Sequence, residues 1–250
     1  SDDVPAELRP LVAEINALIA RLERSMAAQR RLVADAAHEL RTPVAALALQ
    51  VKVAQRAAQP AARAAAFAEL DKGVSRAIRV VEQLLRLAQL APEAPRGEIE
   101  RVDLSEVARE VVGSMALRAR NEGIDLGADA PAAAPIVGTR AELRSLITNL
   151  VDNALRYAPR ESEVTVKVAR DGDAVGVSVL DAGPGIAAQD RERVLERFQR
   201  AAGDDTPGIG LGLAIVRAIV ERHGGRILLE DARPGRDPPG LAARVVFPKA

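Results

Sequence analysis

Residues 11–47 read LVAEINALIARLERSMAAQRRLVADAAHELRTPVAAL, and apolar side chains recur in them at helical spacing. One apolar series steps by three and four residues through Leu8, Leu11, Ile15, Leu18 and Leu22. A second series repeats every seven residues beside it, at Val12, Ile19, Met26, Val33, Leu40 and Leu47. Together they make an apolar face wider than a two-stranded coiled coil needs. The pattern therefore predicts a long helix that packs against more than one partner helix.

A proline separates this helix from a second one. Because proline cannot donate a main-chain hydrogen bond and disfavours helical geometry in the residue before it, Gln59-Pro60 predicts a break. Apolar spacing then resumes at Phe67, Leu70, Val74, Ala77, Ile78, Val81, Leu84, Leu85 and Ala88. We expect an antiparallel helical hairpin. Two copies would bury both wide faces in a four-helix bundle, which predicts a homodimer.

The composition limits the possible functions. The 250 residues suit one large domain or two ordinary ones. The 35 basic and 35 acidic residues cancel, so no overall charge favours nucleic acid, and we expect no nucleic-acid partner. The chain has no cysteine, which excludes disulfides, thiolate zinc sites and cysteine nucleophiles. No apolar run approaches the ~20 residues of a membrane-spanning helix, so we expect the chain as given to be soluble.

The chain changes character after residue 90. Residues 91–101, APEAPRGEIER, are typical of a linker. Beyond it, helical and alternating patterns take turns, which predicts an α/β sandwich with a mixed sheet. Capping boxes at Asp103/Glu106 and Thr139/Glu142 open two of the helices. The predicted helices span 103–120, 140–157 and 211–222, and the predicted strands span 124–128, 135–137, 163–170, 174–180, 226–230 and 241–247.

His38 is the first candidate for chemistry, in the stretch AHELRTP of the long helix. The apolar series place it on the opposite, solvent-facing side. Pro43 interrupts the helical hydrogen bonds one turn later and suggests a bend. Thr42 lies four residues after His38 on the same face, about 6 Å along the axis. Since an imidazole has a pKa of ~6.5, it presents an unprotonated nitrogen at neutral pH, which suits accepting and passing on a phosphoryl group.

Two asparagines on the helix 140–157 form the second candidate site. Asn149 and Asn153 are spaced i, i+4, and Arg156 and Tyr157 follow on the next turn. Asparagine is a poor residue inside a helix, so two on one face favour a function over a structural role. The carbonyl oxygen of Asn153 suits Mg²⁺, and Arg156 could contact phosphates.

Glycine-rich segments complete the set. Asp181 ends a strand and opens DAGPGI (181–186), where a carboxylate could accept a hydrogen bond from the exocyclic amine of adenine. GIGLGL (208–213) precedes a helix, whose free N–H groups favour phosphate. Between them, residues 187–207 resemble a lid with a short helix that contains Arg193, Arg197, Phe198 and Arg200. His223 precedes Gly224-Gly225 at a helix end, and we expect it to be a structural, cationic cap.

Taken in order, five of these stretches resemble the signature boxes of bacterial sensor histidine kinases: HELRTP (38–43), NLVDN (149–153), DAGPG (181–185), Phe198 and GIGLGL (208–213). The resemblance implies a signalling helix derived from a HAMP linker (1–29), a dimerisation and phosphoacceptor domain (30–90), a linker (91–101) and an ATP-binding domain of the Bergerat (GHKL) fold (102–250). It also implies a fragment of a receptor of the bacterial inner membrane, with this part cytoplasmic and the spanning helices missing.

The same resemblance implies roles for single residues. His38 would be the phosphoacceptor, Glu39 its base, and Thr42 the residue that positions water for dephosphorylating a response regulator. Asn153 would hold Mg²⁺ and Asp181 would recognise adenine. The other residues implied to bind ATP are Asn149, Arg156, Tyr157, Gly183, Gly185, Ile186, Phe198, Arg200, Gly208, Gly210, Leu211, Gly212 and Leu213. Pro207 and Leu195 depart from the pattern, where a glycine and a second phenylalanine are common.

The resemblance therefore implies ATP-dependent phosphorylation of His38 and transfer to an aspartate of a response regulator that docks near residues 44–47. Three alternatives remain open. A GHKL ATPase would need a carboxylate one turn before the metal-binding asparagine, where Asn149 stands. A helical dimer scaffold would have a degenerate nucleotide domain. A serine kinase of the anti-sigma type would have no use for His38.

Overall fold

The computed structural model describes residues 9–57, 59–90, 97–172, 174–201 and 210–248. Along the first helix, several side chains lie outside this description, including those of His38 and Glu39. The chain divides into two compact units, Ser1–Ala94 and Pro95–Ala250. In the described part, no helix is long and apolar enough to cross a lipid bilayer.

The first unit is the predicted helical hairpin. Helix α1 spans Arg9–Arg56 and continues through Pro43, and helix α2 spans Pro60–Gln89. Gln59 is extended (φ −86°, ψ 138°) and Pro60 opens the new helix, where the missing N–H breaks no helical bond. The break at Gln59-Pro60 is therefore confirmed.

The apolar face of α2 is divided into two neighbouring seams. The first seam packs against α1 and includes the buried residues Val80, Leu84 and Leu87. Gly73 belongs to it, because a Cβ there would lie 2.9 Å from a methyl carbon of Leu47 on α1. The second seam is exposed in the single chain and contains Phe67, Val74, Ile78, Val81 and Leu85. The hairpin therefore leaves a full apolar seam for a further partner.

The second unit is an α/β sandwich, as predicted. Its helices are α3 (Leu104–Glu122), α4 (Arg140–Tyr157) and α5 (Gly212–Arg222). Its strands are β1 (Glu100–Asp103), β2 (Asp125–Asp129), β3 (Pro135–Gly138), β4 (Glu163–Asp171), β5 (Ala174–Leu180), β6 (Arg226–Asp231) and β7 (Leu241–Pro248). Among the described residues, five strands form a mixed sheet in the order β2-β4-β5-β7-β6, in which only β2 and β4 pair in parallel.

The core lies between this sheet and the three helices. Alternate residues of β5 are buried, including Val175, Val177 and Val179, because successive side chains of a strand point to opposite faces. Helix α4 packs between α3 and α5 and contacts β4 and β5. Its buried face is aliphatic, so its other face is free to carry the polar residues of the site.

Four sequence predictions need correction. Residues 100–101 belong to strand β1, which pairs with β3, and not to a linker. Asp103 does cap α3 through the N–H of Ser105, but Glu106 pairs with Arg140 instead of completing a capping box. Thr139 is the N-cap of α4 without a side-chain bond; its N–H donates to His223 and Glu142 lies beside Arg222 and His223, so this capping box does not form either. The predicted lid helix is two short 3-10 turns, Ala188–Asp190 and Arg193–Leu195, which end before Arg197.

Candidate functional site

The polar face of α4 carries the two asparagines. The side-chain amide of Asn149 donates to the carbonyl oxygen of Ser145, one turn earlier, at 2.7 Å. That bond uses the amide nitrogen of Asn149, so the side-chain oxygen takes no part in it. Asn153 is half-buried, and its side chain has no hydrogen-bond partner among the described residues. A free, partly exposed carboxamide oxygen is a suitable ligand for Mg²⁺, which takes few protein ligands and completes its shell with water and phosphate oxygens.

Arg156 on the next turn of α4 is engaged in an ion pair. Its guanidinium donates to Asp152 at 3.0 Å, and the other carboxylate oxygen of Asp152 binds Arg118 of α3. These ion pairs hold the Arg156 side chain next to the face of α4 that carries Asn149 and Asn153. Arg118 was not anticipated from the sequence, because it lies 34 residues from its partner.

Asp181 follows β5 and is buried. Its Oδ1 accepts hydrogen bonds from the N–H of Gly183 at 2.8 Å and the N–H of Leu241 at 3.2 Å. Among the described residues, its Oδ2 has no partner, so one carboxylate oxygen is available to a ligand. Burial raises the pKa of this carboxyl above its ordinary value, and the two backbone bonds and the charge of Arg233 oppose that rise. A fixed acceptor of this kind suits the exocyclic amine of a purine.

The turn after Asp181 lies against the end of α4. A Cβ on Gly183 would lie 2.9 Å from the carbonyl oxygen of Tyr157, so only glycine allows this approach. Gly185 adopts φ +73°, which glycine tolerates and other residues rarely adopt. The half-buried Ile186 follows it. The structure thus brings Tyr157, Asp181 and Gly183 together.

The middle of the predicted lid, at Phe198, contacts the chain that follows the lid, at Gly210. The N–H of Phe198 donates to the carbonyl oxygen of Gly210 at 3.0 Å. A Cβ on Gly210 would lie 2.7 Å from the carbonyl oxygen of Gln199. Arg200 is half-buried, and its own carbonyl oxygen accepts a bond from Arg193. Gly208 and Pro207 lie outside the described residues. Leu195, which stands where phenylalanine is common, is buried.

Helix α5 begins next to the asparagine face. A Cβ on Gly212, its first residue, would lie 3.6 Å from Oδ1 of Asn149. The flanking Leu211 is buried and Leu213 is half-buried. The free N–H groups at the start of α5 therefore lie beside Asn149 of α4, and such groups favour anions. A site for a phosphorylated ligand with a metal ion is chemically consistent with this arrangement.

The phosphoacceptor candidate belongs to the first unit. His38 and Glu39 lie on α1, but their side chains are outside the described part of the chain. Thr42 is exposed on the same helix. The predicted exposure of His38 therefore stays a prediction.

His223 has the predicted structural role but not the predicted charge. Its Nδ1 lies 2.8 Å from the carbonyl oxygen of Ile219, and its Nε2 accepts a hydrogen bond of 3.2 Å from the N–H of Thr139. An unprotonated Nε2 and a protonated Nδ1 satisfy both bonds, so the ring is neutral in this arrangement. The ring joins the end of α5 to the start of α4.

Family comparisons agree with these two units. Residues 138–250 match the family described as histidine kinase-, DNA gyrase B-, and HSP90-like ATPase. Residues 28–93 match the His Kinase A (phospho-acceptor) domain, and residues 1–24 match the HAMP domain of sensor proteins like PhoQ. The sensor protein kinase PmrB of Pseudomonas aeruginosa is 36% identical over 247 residues, which cover 98% of this chain and 51% of PmrB. The chain thus spans about half the length of the curated relatives it matches.

Solved structures of histidine kinases are also similar to this chain. The mycobacterial sensor histidine kinase MprB is 34% identical, covers 60% of this chain and 97% of its own, and superposes with a TM-score of 0.54. The histidine kinase ThkA, solved in complex with the response regulator protein TrrA, shares the fold at 21% identity over 100% of this chain and 68% of its own, with a TM-score of 0.69. Since the match to MprB is above 30% identity and nearly complete for that structure, the chain belongs to the bacterial sensor histidine kinases of two-component systems.

Proposed function

We propose that this chain binds ATP with Mg²⁺ in its second unit and transfers the γ-phosphoryl group to His38 of its first unit. The observation that carries the proposal is the buried carboxylate of Asp181, which two backbone N–H groups hold by one oxygen. The other oxygen is left for the exocyclic amine of adenine. A carboxylate cannot hydrogen-bond in the same way to the oxo group at that position in guanine, so the site favours adenine.

The remaining nucleotide contacts follow from the same cleft. Gly183 and Gly185 shape the turn beside the base, and the start of α5 at Gly212 provides N–H donors for phosphate. Asn153 supplies an oxygen ligand to Mg²⁺. The described residues contain no group of three or more acidic, histidine or cysteine side chains that could hold a metal alone. This fits an ion held mainly by phosphate oxygens and water.

The reaction is an in-line displacement at phosphorus. An unprotonated nitrogen of His38 attacks the γ-phosphorus, a P–N bond forms, the bond to the bridging β-γ oxygen breaks, and ADP leaves. When bound, Mg²⁺ offsets the negative charge that the phosphate oxygens carry. Glu39 accepts the proton that the imidazole loses. The chain supplies position and charge, which are the main contributions of protein to phosphoryl transfer.

Net ATP hydrolysis is the less favoured activity. A GHKL ATPase needs a carboxylate one turn before the metal-binding asparagine to activate water. Asn149 occupies that position, and its amide is bound to the Ser145 carbonyl. No base is present there, so water is not activated and the phosphoryl group is kept for His38.

We further propose the setting in which this happens. Two hairpins pair through the exposed seam of α2 as a homodimer, and a response regulator docks on α1 near Val44, whose side chain is exposed. An aspartate of that regulator takes the phosphoryl group, and Thr42 positions water for its later removal. ThkA offers support, since it is seen with a response regulator protein. The HAMP match supports a whole protein anchored in the inner membrane with this part cytoplasmic.

Incubation with γ-labelled ATP and Mg²⁺ tests the proposal. The wild type should acquire label that is stable in alkali and labile in acid, as expected of a P–N bond. His38→Gln should acquire none while binding ADP like the wild type. Equal labelling of His38→Gln would overturn the proposal.

A further inference from the structure

The segment between β6 and β7, residues 232–240, interlocks with the turn that follows Asp181. The N–H of Asp181 donates to the carbonyl oxygen of Leu241 at 2.9 Å, and the N–H of Leu241 returns a bond to Oδ1 of Asp181. The N–H of Gly240 donates to the carbonyl oxygen of Gly183 at 3.1 Å. One hydrogen bond of the 232–240 segment, at Gly240, and two of Leu241, the first residue of β7, therefore join this region to Asp181 and its turn.

The contact is also tight. A Cβ on Gly240 would lie 2.2 Å from the carbonyl oxygen of Asp181, which no side chain could tolerate, and Gly240 has φ +68°. A Cβ on Gly185 would lie 2.8 Å from the ring of Pro239. Since protein interiors transmit small displacements, a shift of the 232–240 segment would move Asp181 with it.

Arg191 connects the other end of the same turn, at Ile186, to strand β6. Its Nε donates to the carbonyl oxygen of Ile186 at 3.0 Å, and its Nη2 binds the carboxylate of Asp231, the last residue of β6. Both side chains of this ion pair are partly shielded from water. The guanidinium of Arg191, which lies near the start of the lid, therefore connects the turn 183–186 to Asp231, the residue just before the 232–240 segment.

We propose that Arg191, through its bonds to Ile186 and Asp231, is a positioning residue that, with the 232–240 segment, holds Asp181 and the 183–186 turn in place for adenine recognition. This inference rests on the proposed function, because it assumes that Asp181 accepts the adenine amine. The bonds of Arg191 are to Ile186 and Asp231, so in this proposal it acts through the turn and not by contact with the nucleotide. Its removal therefore weakens the discrimination between purines more than it weakens the binding of phosphates.

The test compares two nucleotides that differ at one position of the base. ADP carries an amine that donates to a carboxylate, whereas inosine diphosphate carries an oxo group that cannot. Calorimetry on the full chain with Mg²⁺ gives the dissociation constants of both, and their ratio measures adenine recognition. The variants are Arg191→Met, which keeps the aliphatic stem, and Arg191→Lys, which keeps the charge beside Asp231. The control is Arg140→Met, because Arg140 also bridges two elements with partly exposed partners, Glu106 and Glu110.

We expect Arg191→Met to lower the preference for ADP over inosine diphosphate by about fivefold, or about 1 kcal/mol. The preference of Arg191→Lys should lie between those of Arg191→Met and the wild type. Arg140→Met should lower Tm about as much as Arg191→Met does but leave the preference for ADP unchanged. A preference in Arg191→Met equal to that of the wild type would overturn the inference and leave the proposed function intact. A wild type that binds both nucleotides equally would overturn adenine recognition by Asp181 itself.

Discussion

The main-chain N–H of Phe198 and the carbonyl oxygen of Gly210 form a hydrogen bond of 3.0 Å. Phe198 lies in the middle of the predicted lid, residues 187–207, and Gly210 follows the lid, so the bond fixes the distance between these two points of the chain. Phe198 has φ +62°, although it is not glycine, and Gly210 has φ +72°. Backbone held in this sparsely populated region is common where a ligand is bound.

The first prediction concerns this junction. Gly210→Ala adds a methyl group 2.7 Å from the carbonyl oxygen of Gln199, so the junction must open. We expect ADP affinity to fall about tenfold or more, which corresponds to ~1.4 kcal/mol. Gly224→Ala is the matched control, because Gly224 has φ +66° and a Cβ there meets nothing within 4 Å. It should lower Tm through strain alone, and an equal loss of ADP affinity in both variants would contradict the assignment.

The metal ligand gives the second prediction. Asn153→Ala removes the free carboxamide, so labelling by ATP should become undetectable and Mg²⁺ should no longer tighten ADP binding. Thr148→Ala is a control on the same helix, because the Thr148 hydroxyl donates to the carbonyl oxygen of Arg144 one turn earlier. Calorimetry with and without Mg²⁺ measures the effect. An undiminished dependence on Mg²⁺ in Asn153→Ala would place the ion elsewhere.

The pH dependence of nucleotide binding should follow Asp181. Its pKa is raised by burial from an ordinary value of 3.8, and only the ionised form leaves both oxygens free to accept. ADP affinity should therefore fall as the pH drops through the raised pKa. Arg233→Met removes the charge that opposes the rise, so the fall should begin at a higher pH. An unchanged affinity profile in Arg233→Met would rule out this coupling.

The same shift affects stability without a ligand. A carboxyl whose pKa is raised on folding stabilises the fold below its ordinary pKa, and this contribution is lost as the pH rises through the raised pKa. Asp181→Asn keeps an acceptor oxygen for Gly183 and Leu241 but carries no charge. At neutral pH its nucleotide-free Tm should equal or exceed that of the wild type, although ADP binding is lost. A clear drop in Tm would mean that the charge stabilises the fold.

The exposed seam of α2 predicts the oligomeric state. Ile78 is 53% exposed in the single chain and lies in the middle of this seam. Ile78→Glu should convert a dimer into a monomer of 26.4 kDa, measured by light scattering. Arg79→Glu places the same charge about 100° around α2 from Ile78, outside the exposed seam, and should leave the dimer intact. A wild type that is already monomeric would contradict the paired hairpin.

Sequence periodicity predicted most of the fold because burial repeats at the period of each element. The alternation of β5 and the buried seam of α2 are examples, whereas apolar residues of α1 such as Leu11, Ile15 and Leu18 are exposed in the single chain. Strand β1 was missed, since three of its four residues are charged and only Val102 is buried. The predicted lid helix was wrong for a related reason: charged residues at helical spacing do not show whether a segment has a core to pack on.

The candidate site was predictable where its residues are close in sequence. Asn149 and Asn153 share one helix face, and Asp181 and Gly183 share one turn. The tie between Arg191 and Asp231 spans 40 residues, so no local pattern indicates it. The charge state of His223 depends on Thr139, 84 residues away, and the sequence suggested a cation where the hydrogen bonds require a neutral ring.

The most direct test of phosphoryl transfer to His38 is to locate the phosphoryl group on a peptide. Cleavage after Arg31 and Arg41 releases residues 32–41, LVADAAHELR, which contain one histidine and no serine, threonine or tyrosine. After incubation with ATP and Mg²⁺, mass spectrometry at alkaline pH should find the phosphoryl group on this peptide, and brief acid treatment should remove it. A phosphoryl group on any other peptide, with residues 32–41 unmodified, would contradict the account.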